Sequence, residues 1–268
     1  MGSVDSAAGG SGPRRGVAVA VLAGFAVLVV AAVVGGVALG GGWMSQTAAE
    51  AESTPGGTAD NTPGGTAAAL AEPGTTAAPV ASLPDPAWAA GVAQSTGIPV
   101  RALLAYAGAE IRLRAEQPGC HLSWNTLAAI GFVESEHGTL HGGAIGDDGR
   151  ATPPIIGIAL DGDGVEAIAD TDRGTLDGDP VWDRAVGPMQ FLPSTWGFAA
   201  ADGDADGIRD PHDIDDAALA AGRYLCTGGV DLRDDAAWIA AVGSYNSSID
   251  YNNRVAGAAD AYAAASGG

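Results

Sequence analysis

The stretch I-G-F-V-E-S-E-H-G, Ile130 to Gly138, sets how the rest of the chain is read. Ser123 is a capping residue and predicts a helix that starts at Trp124. Leu127, Ile130 and Glu134 then fall at i, i+3 and i+7, on one helical face. Gly138 is a natural stop just past the last helical residue. Glu134 is therefore expected in the final turn, on the apolar face. Burial disfavours its carboxylate, and so does the negative end of the helix dipole, so both raise its pKa. A carboxylic acid kept protonated near neutral pH is what general-acid catalysis needs. Glu136 should face elsewhere, about 200° further round the helix. A partly exposed carboxylate at a helix end, without chemistry, fits the same residues.

The chain has 268 residues, enough for one or two domains. All 12 basic residues are Arg, set against 32 acidic ones, for a formal net charge of −20. Nucleic acid needs a basic footprint, so this balance argues against it, and against adhesion to anionic lipid through a basic face. The acidic residues gather between Asp147 and Asp235, which suggests cation binding or a solvated acidic surface.

Residues 1–15 read as a short cytoplasmic tail ending in Arg14 and Arg15. Residues 16–39 carry no charge and are rich in Val, Ala and Leu, long enough to span a bilayer as a helix. The two Arg before it put the N-terminus inside and the remainder outside. A cleaved signal peptide is the alternative; either way the bulk of the protein is exported. Residues 40–83 are Ala/Thr/Gly/Pro-rich with repeated P-G-G-T and read as a flexible spacer. From residue 84 to 268 helical periodicity dominates. Trp88 and Val92 belong to a first helix, ended by Gly97-Ile98-Pro99. Val100 to Arg114 follows, with Leu103, Leu104, Ala107 and Ile111 on one face. Residues 139–186 read as loop, and helices resume at Ala217–Cys226, Asp235–Tyr245 and Asn253–Ala265. No strand run stands out, so the domain is mainly α. Cys120 and Cys226 form an even pair in an exported protein, which favours a disulfide.

Three further stretches carry chemistry. In A-V-G-P-M-Q-F-L-P-S-T-W, Ala185 to Trp196, a tight turn at Gly187-Pro188 presents Met189, Gln190 and Phe191. The Gln190 amide can both donate to and accept from a ligand, and Trp196 suits stacking or the core. In D-G-D-A-D-G-I-R-D-P-H-D, Asp202 to Asp213, Asp fills positions 1, 3 and 5 and Gly position 6, the EF-hand spacing with Asp at 12. The expected ligands for a structural Ca²⁺ are Asp202, Asp204, Asp206, the Ile208 carbonyl, Asp210 through water, and Asp213; an empty acidic turn is the alternative. The looser run Asp161 to Asp172, continuing to Asp179, lacks that glycine and reads as an Asp-rich loop, with a second cation site as the lesser alternative. In G-S-Y-N-S-S-I-D-Y, Gly243 to Tyr251, Tyr245 and Asn246 end a helix with polar tips suited to a cleft.

Taken in order, V-E-S-E-H-G, G-P-M-Q-F-L-P-S-T-W, the Asp-rich loop ending D-P-H-D-I and S-Y-N-S-S-I-D-Y resemble the lytic transglycosylases, in particular the membrane-bound type B branch with a lysozyme-like catalytic domain. The resemblance covers roughly residues 84–265, and the Asp147–Asp183 insertion looks like an actinobacterial variation. It implies cleavage of the β-1,4 bond between N-acetylmuramic acid and N-acetylglucosamine in peptidoglycan, with a 1,6-anhydro product. It places Glu134 on the single catalytic acid, and Met189, Gln190, Tyr245, Asn246 and Tyr251 on cleft-lining positions. It also implies a calcium site of EF-hand kind and no organic cofactor. Two other readings stay open: a lysozyme-like muramidase, for which Asp183 or another loop Asp would supply a second carboxylate, and a non-catalytic wall-binding scaffold.

Overall fold

The computed structural model describes residues 77–267. The tail, the apolar run 16–39 and most of the spacer lie outside them. No helix among the described residues is long and apolar enough to cross a membrane. Those residues form seven α-helices: α1 (Pro86–Thr96), α2 (Val100–Glu116), α3 (Trp124–Ser135), α4 (Pro193–Ala199), α5 (Ile214–Leu225), α6 (Asp235–Tyr245) and α7 (Ile249–Ala265). Two-residue strands β1 (Ala144–Ile145) and β2 (Ala151–Thr152) pair antiparallel in the long α3–α4 connection. The domain is mainly helical, as the periodicity indicated; the small β ladder was not foreseen.

Local chemistry explains the helix ends. The Asp85 carboxylate accepts from the Ala87 and Trp88 amides, both at 2.8 Å, and Pro86 opens α1 at a position where its missing N–H is not needed. Asp213, Asp234 and Ser248 cap α5, α6 and α7 in the same way. Ser123 does not. Its side chain makes no capping bond, and the Trp124 amide donates to Glu110 Oε2 from α2 at 2.9 Å. Pro193 opens α4, a short helix the sequence reading passed over. α5 and α7 each begin earlier than expected, at Ile214 and Ile249, because their caps lie earlier.

α2 runs through the middle, against α1, α3 and α5, and α7 lies across α3. Surrounded on several sides, α2 buries Ala102, Leu103, Ala105, Tyr106, Ala109 and Leu113. Ile111, expected on the inner face, is 36% exposed. The 40–83 spacer assignment also needs correction at its end. Val80 is fully buried, its amide donates to Gly203 O at 2.8 Å, and it rests on α2 at Gly108. A Cβ at Gly108 would stand 1.9 Å from the Val80 carbonyl oxygen, so glycine there lets this segment dock. The predicted disulfide is present: Cys120 and Cys226 are bonded across 106 residues and join the approach to α3 to the end of α5.

Candidate active site

Glu134 occupies the last turn of α3, where the helix gives way to Glu136 and His137 in the left-handed region. Ser135 secures this end, donating to Pro188 O at 2.6 Å while its oxygen accepts from the Gly138 amide at 2.8 Å. The loop carrying Gln190 is thereby tied to the helix carrying Glu134. α7 supplies Tyr251 from its first turn, and the Tyr251 hydroxyl donates to Glu134 Oε1 at 2.6 Å. Burial pushes the Glu134 carboxyl up to about 7; the Tyr251 hydrogen bond and the Arg254 charge oppose it and are weaker. Glu136 is exposed, as expected, but it lies outside α3 as its left-handed cap, so the helical spacing does not set its direction.

The surroundings are aromatic. His137 is buried, with Nδ1 3.3 Å from the Tyr106 hydroxyl and Nε2 2.9 Å from the Tyr262 hydroxyl. Burial lowers its pKa to about 4, so it is neutral at neutral pH. This histidine cross-ties α2, the end of α3 and α7; nothing in the local sequence around it signals a buried role.

The other expected site residues separate into two groups. Gln190 is half-buried, held in the left-handed region at φ 48 between the paired Val186 and Phe191, with Nε2 donating to Gly187 O at 2.9 Å. Tyr245 is half-buried and donates to Met189 O at 2.8 Å. Burial raises its hydroxyl pKa, and the Glu134 charge adds to that. Met189 and Phe191 are core residues, not cleft walls. Met189 is fully buried, and Phe191 packs against Trp196 and Tyr245 at ring distances of 5.2 and 5.8 Å. Trp196 is likewise core. Asn246 is buried, and its side-chain oxygen accepts from the Ser248 amide at 3.0 Å in a turn-forming bond. Arg254 was not foreseen; with α7 starting at Ile249 it lies one turn after Tyr251.

The acidic loops close differently from the EF-hand expectation. Asp202, Asp204 and Asp216 each bring an oxygen to within 4.8 Å of the others. Asp216, not Asp213, completes this ring. Asp213 caps α5 through Oδ1, which accepts from the Asp215 amide at 2.8 Å, while its Oδ2 is buried without a hydrogen-bond partner among the described residues. Asp216 faces back into the loop and accepts from the Gly203 and Asp210 amides at 2.6 and 2.7 Å. Asp206 is exposed and turned onto the Ile208 amide at 2.7 Å, Ile208 itself is exposed, and Asp210 pairs with Arg150 at 2.6 Å. Asp202 Oδ1 is buried without a hydrogen-bond partner among the described residues. A second cluster joins Asp170, Asp172 and Asp183. Asp183 is fully buried and accepts from the Thr171 amide and hydroxyl, both at 2.8 Å. Either cluster can hold a metal ion, and all-carboxylate donors suit a hard cation.

Comparison of the chain with protein-family models, with curated proteins and with solved structures finds no match.

Proposed function

We propose that this is a peptidoglycan lytic transglycosylase, with a lysozyme-like domain that cleaves the β-1,4 bond between N-acetylmuramic acid and N-acetylglucosamine and leaves 1,6-anhydro ends. The observation that carries the reading is the Glu134 carboxyl, raised to about 7 by burial at a helix end and met by a single hydroxyl, from Tyr251. Such a group gives its proton to the glycosidic oxygen as the C1–O bond breaks. The C6 hydroxyl oxygen of the same muramyl residue then bonds to C1, and its proton returns to the Glu134 carboxylate. No water is consumed, so no second carboxylate is required, unlike the paired-carboxylate glycosidases.

A muramidase would need that second carboxylate in contact with water. Asp183 is sealed from solvent and bonded to Thr171, which removes it from that role and leaves the muramidase to another loop Asp. Ca²⁺ is the proposed occupant of the Asp202, Asp204 and Asp216 ring. The orphaned Asp202 oxygen and the three carboxylates fit it, and its part is to neutralise their repulsion and hold the loop beside α5. Residues 16–39 are proposed to anchor the chain, with this domain on the cell-wall side of the membrane.

The deciding experiment is mass spectrometry of purified peptidoglycan digested by the chain, beside its Glu134→Gln variant. Anhydro-ended fragments from the wild type alone support the proposal. Reducing ends that vanish in the variant point to the muramidase. No soluble product from folded, oxidised, calcium-supplied protein leaves the wall-binding scaffold.

A further inference from the structure

α7 places a guanidinium one turn from the tyrosine bonded to the candidate acid. Arg254 follows Tyr251 by three residues, so the two side chains leave neighbouring positions on one face of the helix. Tyr251 is the residue bonded to Glu134 at 2.6 Å. Arg254 itself is exposed. Its charge is felt by both groups: after the larger effect of burial, it draws the pKa of Glu134 and of Tyr251 downward. Seven other arginines among the described residues pair with a carboxylate. Arg254 has neither an ion pair nor a hydrogen bond there, although Asp250 lies four residues earlier on the same helix.

Arg173 and Arg209 likewise lack an ion pair among the described residues, but only Arg254 follows Tyr251 by one turn of α7. The acidic surface also repels an anionic ligand, so a ligand with a carboxylate needs a local positive charge where it docks. A guanidinium matches the planar carboxylate with two parallel hydrogen bonds, and it keeps its charge at every relevant pH.

We propose that Arg254 binds a carboxylate carried by the glycan beside the bond that Glu134 protonates, and so selects acid-bearing glycan over neutral chains of N-acetylhexosamine. The inference rests on the transglycosylase reading and adds the ligand group that sets its selectivity. Two sources offer this chemistry: the lactyl carboxylate of a peptide-free muramyl residue, and a carboxylate of the attached peptide.

The test is calorimetric binding to the full chain carrying Glu134→Gln, which prevents turnover, with and without Arg254→Ala or Arg254→Lys. The ligands are chitohexaose, peptide-free muramyl glycan and peptide-bearing glycan of matched length. Arg254→Ala is expected to weaken an acid-bearing ligand by about tenfold or more, as for loss of a charge-assisted pair, and to leave chitohexaose unchanged. Arg254→Lys restores part of the loss, and the effect shrinks as salt rises. Loss with the peptide-free glycan identifies the lactyl group; loss only with the peptide-bearing glycan identifies the peptide. An equal loss on chitohexaose, or no loss on either acidic ligand, overturns the proposal while glycan binding still stands. Failure of the parent protein to bind any of the three overturns the transglycosylase reading along with it.

Discussion

A carboxyl group raised to about 7 leaves a mark on both stability and rate. The folded pKa of Glu134 lies above its ordinary value of 4.5, so the unfolded chain releases this proton first. Its contribution to stability is therefore fully present below about 4.5 and is lost as pH rises through about 7. Glu134→Gln stays neutral throughout and should gain stability relative to wild type between those limits. Urea denaturation of both proteins at pH 4 and pH 8 checks this, and equal differences at the two pH values would contradict the raised pKa. The rate follows the same proton. In the proposed reaction, cleavage should fall as pH passes above about 7. Tyr251→Phe removes a bond that holds the pKa down, so the falling limb should move to higher pH in a pH–rate profile. Met189 and Phe191 teach a different lesson at this scale. Flanking a polar Gln in a turn, they suit a cleft or a core equally well, and packing put them in the core.

Between elements, close approach is the controlling fact. A Cβ on Gly131 would stand 2.1 Å from the Tyr106 hydroxyl oxygen, where α2 and α3 meet below Glu134. Gly131→Ala should destabilise the domain by about 1–3 kcal/mol, the usual range for an overpacked core. Adding Tyr106→Phe removes the nearest atom and should recover part of that loss, which a double-mutant cycle reads as coupling. The start of α5 controls the acidic loop. Because the helix begins at Ile214, Asp213 becomes its cap and Asp216 turns into the ring with Asp202 and Asp204. Calcium titration by calorimetry should therefore show weakened binding for Asp216→Asn and near wild-type binding for Asp213→Asn, which keeps its capping oxygen. The opposite pattern would restore the EF-hand spacing read from the sequence.

Over the whole molecule, long-range ties hold a domain built largely of small side chains. The Cys120–Cys226 bond closes a separation of 106 residues, and a loop of that size contributes on the order of 4 kcal/mol on the chain-entropy account. Replacing both cysteines by serine should lower the midpoint of thermal unfolding sharply, and calcium should raise it in either protein in proportion to its binding. Most of the helices and the disulfide were legible in the chain because each depends on neighbours in sequence or on a simple count; α4 and the starts of α5 and α7 were not. Asp85-Pro86 starts a helix, Gly97 at φ 77 ends one, and two cysteines make one pair. Glu134 near the end of α3 was legible from apolar spacing, but the stop was not: Glu136, not Gly138, is the left-handed cap after Ser135. What surrounds Glu134 was not. Tyr251 reaches it across 117 residues, Arg254 follows Tyr251 by one turn of α7, and α2 buries Tyr106 and Leu113 while exposing Ile111. Short-range sterics and hydrogen bonds write the helices, whereas burial, ligand sets and pKa come from contacts between distant segments that local pattern does not encode.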